Sequence, residues 1–287
     1  MKVRTLSLIM VFFLFIGVVV NVWAHGETPD KLVFINIPAG TTTDNVDKFQ
    51  PTIDWVEEQV GIPIEVIEAT DYAVAVEALH YKHADFARLG AMSLINANDL
   101  YGIYPIARDI KSNTGEPFYH SVLITRADSG IECPCDICCN AADLTIAFVD
   151  PESASGFLFP NLMLAQLGID TANLKEYVFA GSHASAIISV AKGFTDLAGT
   201  NEYRLGKGYE SGDVEEDEIR ILLTSGPIPT SPICVRPGLD EELVAKLQAA
   251  FLSVPYDTAR IFALDGFAAA TVEDYRMFEE LLERFEI

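Results

Sequence analysis

The chain has 287 residues, a net charge of −23, 50% hydrophobic residues and five cysteines. That length suits one large domain or two of ordinary size. So acidic a surface argues against nucleic acid and anionic membrane as partners, but not against a buried anion site, which local dipoles and donors govern.

The chain opens with a basic start (Lys2, Arg4), an almost unbroken apolar run over 6–20, and small residues at Val22 and Ala24. This pattern predicts a secretory signal peptide cleaved after Ala24. An uncleaved anchor fits less well, because the run is shorter than the ~20 residues of a spanning helix. No Cys follows the run, which excludes a bacterial lipoprotein anchor. The leader carries only Lys2 and Arg4, so the remaining 263 or so residues hold a charge near −25. The mature protein is expected to be exported and soluble.

Beyond the leader, 31–38 reads as a strand followed by a polar Gly/Thr turn at 40–43. Residues 44–60 show helical spacing through Phe49, Ile53, Val56 and Val60, with a break or fresh start expected at Pro51. Strands at 63–69, 84–89 and 104–110 alternate with helices at 72–81 and 94–100. A long extended run at 117–125 suits a crossing between lobes. The rhythm then repeats, with strands at 144–149, 176–180 and 194–198 and helices at 156–167 and 183–192. An acidic excursion at 209–218 precedes a strand at 219–224 that crosses back. Helices at 240–252, 257–264 and 272–285 end the chain. Such alternation predicts a parallel-rich α/β sheet in each of two units, hinged by two crossings, with lobe 1 at 25–118 and 226–287 and lobe 2 at 119–225. A cleft between such lobes is where helix N-termini from both sides can meet a ligand.

The chemistry is densest at 145–167. The strand Thr145 to Val149 ends at Asp150-Pro151, and Ser153-Ala154-Ser155-Gly156 opens an apolar helical run. A strand feeding a Ser/Gly turn and a helix leaves backbone N–H groups pointing at one spot, at the positive end of the helix dipole. A plain Ser helix cap has the same local signature. Further along stand Gly181-Ser182-His183 at a helix start, Asp196 in Gly193-Phe194-Thr195-Asp196, and Thr224-Ser225-Gly226-Pro227 leading to Ile233-Cys234-Val235-Arg236-Pro237. Upstream, Tyr72-Ala73 opens the helix that leads to Ala84-Asp85-Phe86-Ala87-Arg88.

In order and spacing, these motifs resemble the phosphonate-type periplasmic solute-binding proteins of ABC importers over nearly the whole mature chain. The resemblance implies an α/β two-lobe periplasmic-binding-protein (type II) fold with two hinge crossings that closes on an oxyanion. It implies no enzymatic activity, no cofactor, a monomer, and an ABC permease in the inner membrane as partner. Residue by residue, Ser153, Ala154 and Ser155 match the family's anion clamp, His183 a histidine that donates to the oxyanion, and Tyr72 a tyrosine reaching across from the opposite lobe. Hydroxyls and backbone N–H groups donate without full charge, and a histidine adds a switchable donor. Ala154 stands where Thr is frequent, so one hydroxyl is missing.

Family members that take aminoalkylphosphonates hold the amine with two carboxylates. Those positions fall at Tyr203, next to Glu202, and at Ser231, and a second cleft tyrosine falls at Leu94. An amine would lack counter-charges, and burying an unpaired ammonium is costly. The expected ligand is therefore phosphate, phosphite or a simple alkylphosphonate. Asp196 is read as structural. Arg88 suits either an anion contact or a surface ion pair. His80 and His83 suit a solvated helix end better than a metal pair.

Cys133, Cys135, Cys138 and Cys139 crowd into seven residues, a segment the resemblance does not cover. In an oxidising compartment disulfides are the default, with three pairings open. Geometry disfavours the tight Cys133–Cys135 closure and strains a vicinal Cys138–Cys139 bond. A soft-metal or metalloid site is the functional alternative. Cys234 is read either as a buried thiol or as a thiol near the cleft that meets a thiophilic ligand such as arsenite. Two further functions stand beside transport: a periplasmic sensor that signals an oxyanion or metalloid to a histidine kinase, and an enzyme built on the cysteine cluster. No nucleophile–base constellation supports the latter.

Overall fold

The computed structural model describes residues 26–37 and 46–285. The leader expected over 1–24 and the turn expected at 40–43 lie outside them. Among the described residues no helix is long and apolar enough to cross a membrane.

The chain runs β1 (Leu32–Asn36), α1 (Val46–Val60), β2 (Ile64–Glu68), α2 (Tyr72–His80), β3 (Phe86–Arg88), α3 (Ala91–Tyr101), β4 (Tyr104–Lys111) and β5 (Phe118–Arg126). It continues with α4 (Pro134–Asn140), β6 (Thr145–Phe148), α5 (Phe159–Gln166), β7 (Glu176–Phe179), α6 (His183–Ala191), β8 (Leu197–Asn201), α7 (Glu202–Ser211) and β9 (Ile219–Pro229). Then come β10 (Pro232–Val235), α8 (Glu241–Leu252), α9 (Tyr256–Ile261), β11 (Leu264–Ala269) and α10 (Met277–Phe285).

Two sheets form, as the alternation predicts. The first has the order β11-β4-β10-β3-β1-β2 and the second β7-β6-β8-β5-β9. β1, β2 and β3 are parallel, as are β6, β7 and β8. Their central members are apolar because helices cover both faces: Leu32, Phe34 and Ile35 are buried in β1, and Ile146, Ala147 and Phe148 in β6. The two crossings, β5 and β9, run antiparallel to each other, pairing Phe118 with Pro229 and Tyr119 with Ile228. Thr230 ties this ribbon to the first sheet. Its hydroxyl donates to the Asp109 carbonyl at 2.5 Å, and its own carbonyl accepts from the Tyr275 hydroxyl at 2.8 Å.

Several local expectations need correction. α1 passes through Pro51 without a break. The loss of one N–H donor is outweighed by burying Phe49, Ile53 and Val56 against β1 and the C-terminal helices. The helix expected from Gly156 begins as a wide turn over Ala154–Leu158 before α5 proper. The stretch at 194–198 forms a strand only from Leu197, because Asp196 accepts from the Thr145 amide and hydroxyl at 2.8 and 2.7 Å and fixes the start of β6. That clamp makes Asp196 structural, as read from the sequence. The acidic excursion begins inside α7, and β10 and β11 are extra antiparallel strands on the first sheet.

The cysteine segment also departs from expectation: Cys133 and Cys135 are joined, with Cα atoms 5.3 Å apart. Cys133 precedes the first turn of α4, where Pro134 starts the helix and folds the chain back tightly enough for a closure across one residue. Cys138 and Cys139 are exposed thiols, and Cys234 is buried within β10.

Gly156 sets how closely the wide turn approaches its own strand. A Cβ there would lie 2.3 Å from Val149 Cγ2 and 2.8 Å from Ser153 Oγ. Gly156→Ala is expected to lower stability by about 1–3 kcal/mol through overpacking, measured by urea denaturation at constant m-value. An unchanged midpoint would mean that the turn has slack the contacts do not show.

Candidate anion-binding site

Tyr72, Ser153, Ala154, Ser155 and His183 come from α2, the wide turn before α5, and α6, and all five line one cavity of about 50 Å³. A cavity of that size holds a few water molecules or one small ion. It lies where the ends of both sheets meet.

Helix starts surround it. Ser153 Oγ accepts from the Gly156 amide at 3.1 Å, while the Ser153 carbonyl takes the Phe157 and Leu158 amides at 3.0 and 3.2 Å. By helix geometry the Ala154 and Ser155 amides have no intrahelical acceptor. The turn is pinned from outside: the Ser121 hydroxyl donates to the Ser155 carbonyl at 2.7 Å, and Asn201 Nδ2 donates to Ser155 Oγ at 3.1 Å. From the first lobe, α3 presents Gly90 and Ala91 to the cavity without a side-chain cap. A Cβ on Gly90 would lie 3.0 Å from the Tyr72 ring, so glycine leaves room for that tyrosine. Ser93 Oγ, 3.3 Å from the same point, is buried with no hydrogen-bond partner in the structure.

Tyrosines cross the gap. Tyr72 hydrogen-bonds with Ser153, and burial holds its hydroxyl far above the ordinary tyrosine range. Tyr119 on β5 hydrogen-bonds with Ser155 and is pushed up to about 12, chiefly by burial. Both phenols therefore remain neutral donors at any physiological pH. His183 Nδ1 lies 3.1 Å from Thr200 Oγ1. Burial, helped by the Lys111 charge, lowers its pKa to about 4, so the ring is neutral. When the Thr200 hydroxyl donates to Nδ1, Nε2 carries the hydrogen and is the donor available to an anion.

The charged lining is entirely cationic. Arg88, Lys111 and Arg204 border the cavity, and among the described residues no Asp or Glu does. Arg88, fully buried, grips Asp109 through Nε and Nη2, and Lys111 Nζ reaches the same carboxylate at 3.0 Å. Burial raises the Asp109 carboxyl, but the Arg88 and Lys111 charges overcome it and hold it below the ordinary range. Burial lowers the Lys111 ammonium, partly offset by Asp109. It also pushes Arg204 down to about 10, which still leaves a full positive charge at neutral pH. Lys111 and Arg204 both lie over the Tyr203 ring, 4.8 and 5.4 Å from its centre.

The two positions singled out for an amine, Tyr203 and Ser231, do line the cavity. Leu94 does not; it is buried in the first-lobe core, and Tyr119 supplies the second cleft tyrosine instead. Cys234 does not approach the cleft. It is buried in that core, where the absence of polar surroundings pushes its thiol pKa up, so the arsenite reading of this residue falls. His80 stacks on Tyr101 at 3.9 Å, and no metal-holding group among the described residues includes it or His83. Lys111, Arg204, Asn201 and Tyr119 escaped sequence reasoning. For Tyr119 a signal existed, since its strand was read as a crossing and crossings border the cleft.

A family model described as ABC transporter, phosphonate, periplasmic substrate-binding protein matches residues 34–275. The phosphonates-binding periplasmic protein of Escherichia coli is 29% identical over 232 residues, covering 80% of this chain and 68% of that one. The phosphate-import protein PhnD of Mycolicibacterium smegmatis is 28% identical over 236 residues, covering 78% and 71%. In structure, the binding component of an ABC phosphonate transporter from Pseudomonas aeruginosa superposes with a TM-score of 0.81 at 23% identity, covering 89% of this chain and 86% of that one. PhnD1 of Prochlorococcus marinus, solved in complex with methylphosphonate, gives 0.80 at 18% identity, covering 90% and 99%. At such identities the structural likeness establishes the two-lobe fold. The family match spans most of the described residues, and the chain belongs to the phosphonate-type periplasmic substrate-binding proteins of ABC transporters.

Proposed function

We propose that this binding protein captures a small, amine-free oxyanion (phosphate, phosphite or a simple alkylphosphonate) and delivers it, as a monomer, to an ABC permease in the inner membrane. The observation that carries this reading is the cleft lining: three cations, neutral hydroxyl donors, a neutral histidine and, among the described residues, no carboxylate. An alkylammonium placed there would meet Arg88, Lys111 and Arg204 and no counter-charge, which is strongly unfavourable in a buried site. An oxyanion would instead meet the Ala154 and Ser155 amides at a helix start, the Ser153 and Ser155 hydroxyls, His183 Nε2 and the Tyr72 phenol. The small cavity suits a tetrahedral group with little or no substituent.

Sheet membership supports the lobe division, 25–118 and 226–287 against 119–225, with the return crossing a few residues later because β9 extends to Pro229. Export through a leader cleaved after Ala24 accords with the periplasmic family. The sensor alternative draws no support from a family model that describes a transporter component.

A thermal-shift panel of phosphate, phosphite, methylphosphonate, 2-aminoethylphosphonate, sulfate, arsenate and arsenite tests the specificity. A member of the phosphate–phosphite–methylphosphonate group should stabilise the protein by about 2.7 kcal/mol at roughly 100 times its Kd. A strong shift with 2-aminoethylphosphonate alone would overturn the amine-free reading. Ser155→Ala and His183→Ala should each weaken binding by about 1.5–3 kcal/mol, the worth of a hydrogen bond to a charged group, with the apo fold intact. If both variants bind normally, the site is elsewhere.

His183 also makes a prediction in pH. Its folded pKa of about 4 lies below the 6.5 of an ordinary histidine. Above pH 6.5 both folded and unfolded forms are neutral and His183 contributes nothing. As pH falls from 6.5 to 4 the unfolded chain takes up a proton that the folded chain refuses, so stability is lost, by about 3 kcal/mol in all. Comparing apo wild type with His183→Gln by urea denaturation at pH 7 and pH 4.5 isolates this term from titrating carboxylates. Equal acid sensitivity of the two proteins would contradict it.

A further inference from the structure

We propose that the cysteine segment of the second lobe, once reduced, is a thiolate site for one soft divalent cation of the zinc and cadmium class. No residue of this segment lines the anion cleft, so the site is independent of the ligand reading.

Three of the donors are already gathered. Cys133 Sγ, Cys135 Sγ and an Asp136 carboxylate oxygen lie within 4.8 Å of one another. Cys138 and Cys139 follow Cys135 on α4 at three and four residues, the spacing that brings side chains onto one helix face a turn apart. Side chains on a helix lean towards its N-terminus. Cys138 does so, its Sγ lying 3.5 Å from the Pro134 carbonyl and hence beside the Cys133–Cys135 turn. Both later thiols are exposed and outside the disulfide, and Cys138 Sγ also lies 3.8 Å from the Leu167 carbonyl.

The turn does not depend on the sulfur–sulfur bond for its shape. The Asp136 carboxylate accepts the Glu132 and Cys133 amides at 2.9 and 3.0 Å. One residue on, Ile137 is fully buried against Ile131 and Leu144, anchoring α4 to the core. Reduction therefore leaves the sulfurs near their present places. The local field also suits a cation. Between Arg126 and Lys175 the chain carries no Lys, Arg or His, while Glu132, Asp136 and Asp143 flank the thiols. Arg220 reaches the edge of the segment, donating to the Ile131 carbonyl at 3.0 Å.

The chemistry balances as follows. A dithiol reductant supplies two electrons and two protons; the Cys133–Cys135 bond breaks to two thiols, and the reductant becomes a disulfide. The cation then displaces the thiol protons and binds Cys133, Cys135 and Cys138, with Cys139 or Asp136 completing a four-coordinate shell. Thiolates select soft and borderline ions, and four sulfur or mixed sulfur–oxygen donors suit tetrahedral zinc or cadmium. In the oxidised form two of these donors are consumed by each other, so the site is gated by redox state.

The test uses the whole mature protein, reduced with dithiothreitol, desalted without oxygen and titrated with Cd²⁺ while its thiolate charge-transfer absorption is recorded. Reduced wild type should bind one Cd²⁺ per chain with that absorption, and untreated protein, left with only the Cys138 and Cys139 thiols, should bind at least about tenfold more weakly and with a smaller band. Cys133→Ser/Cys135→Ser and, separately, Cys138→Ser should each lose at least about tenfold in affinity. Cys234→Ser should bind as wild type does. Circular dichroism of the reduced protein checks that it remains folded, and the exposed-site Cys138→Ser variant carries the test if the double variant does not fold. No thiolate band in folded, reduced wild type would overturn the proposal, as would unchanged binding by Cys133→Ser/Cys135→Ser or loss of binding in Cys234→Ser.

Discussion

Asp109 is fully buried between Arg88 and Lys111, and one carboxylate can neutralise only one of them. Removing one partner from a buried ion pair costs about 3–5 kcal/mol, so none of the three is free to vary alone. The geometry follows from sheet order. β10 lies between β3 and β4, and Arg88 on β3 reaches past it to the carboxylate on β4. Arg204 adds further positive charge from the second lobe. The protein as a whole is strongly acidic, yet its cleft is lined by cations, because most acidic side chains lie on the surface and, among the described residues, none is in the lining. An anion bound here, as proposed above, would meet cations whose attraction is strengthened by the same desolvation that makes the unliganded cluster costly.

Much of the neutral half of the site was legible in the sequence. A strand, a Ser-Ala-Ser-Gly turn and an apolar helix announce an anion-binding start by local geometry alone, and His183 stands at another helix start. The cationic half was not. Arg88 and Asp109 are 21 residues apart on consecutive strands that are not neighbours in the sheet, and nothing local reveals that β10 will slot between them. β10 and β11 themselves were hidden. Pro232-Ile233-Cys234-Val235 is short and begins with Pro, and β11 carries Gly266 at a positive φ beside a register shift. The Cys133–Cys135 closure was misjudged for a related reason: generic spacing rules do not anticipate a proline-started helical turn that brings two Cα atoms to 5.3 Å.

The hinge shows how little backbone holds the lobes in register. β5 and β9 pair over their length, and Thr230 fastens their end to Asp109 and Tyr275. The residue that fixes the hinge therefore bonds the same residue that organises the cleft charges. Bending at this point and charge pairing at the cleft floor are mechanically adjacent.

Across the gap the lobes touch each other directly. Asn96 Nδ2 donates to both Glu152 carboxylate oxygens at 3.0 Å, the Tyr203 hydroxyl reaches the Phe262 carbonyl at 3.5 Å, and the Phe159 and Phe278 rings meet edge-on at 6.1 Å. These contacts must part before a bound ion can leave, whichever ion it is. Under the proposed function they would set a residence time common to all cargo, while the cleft lining would set which cargo is chosen. Tyr203 belongs to both sets, lining the cavity and bonding across the gap, so a change there would alter selection and release together, whereas Asn96, Glu152, Phe159 and Phe278 lie outside the lining and bear on release alone.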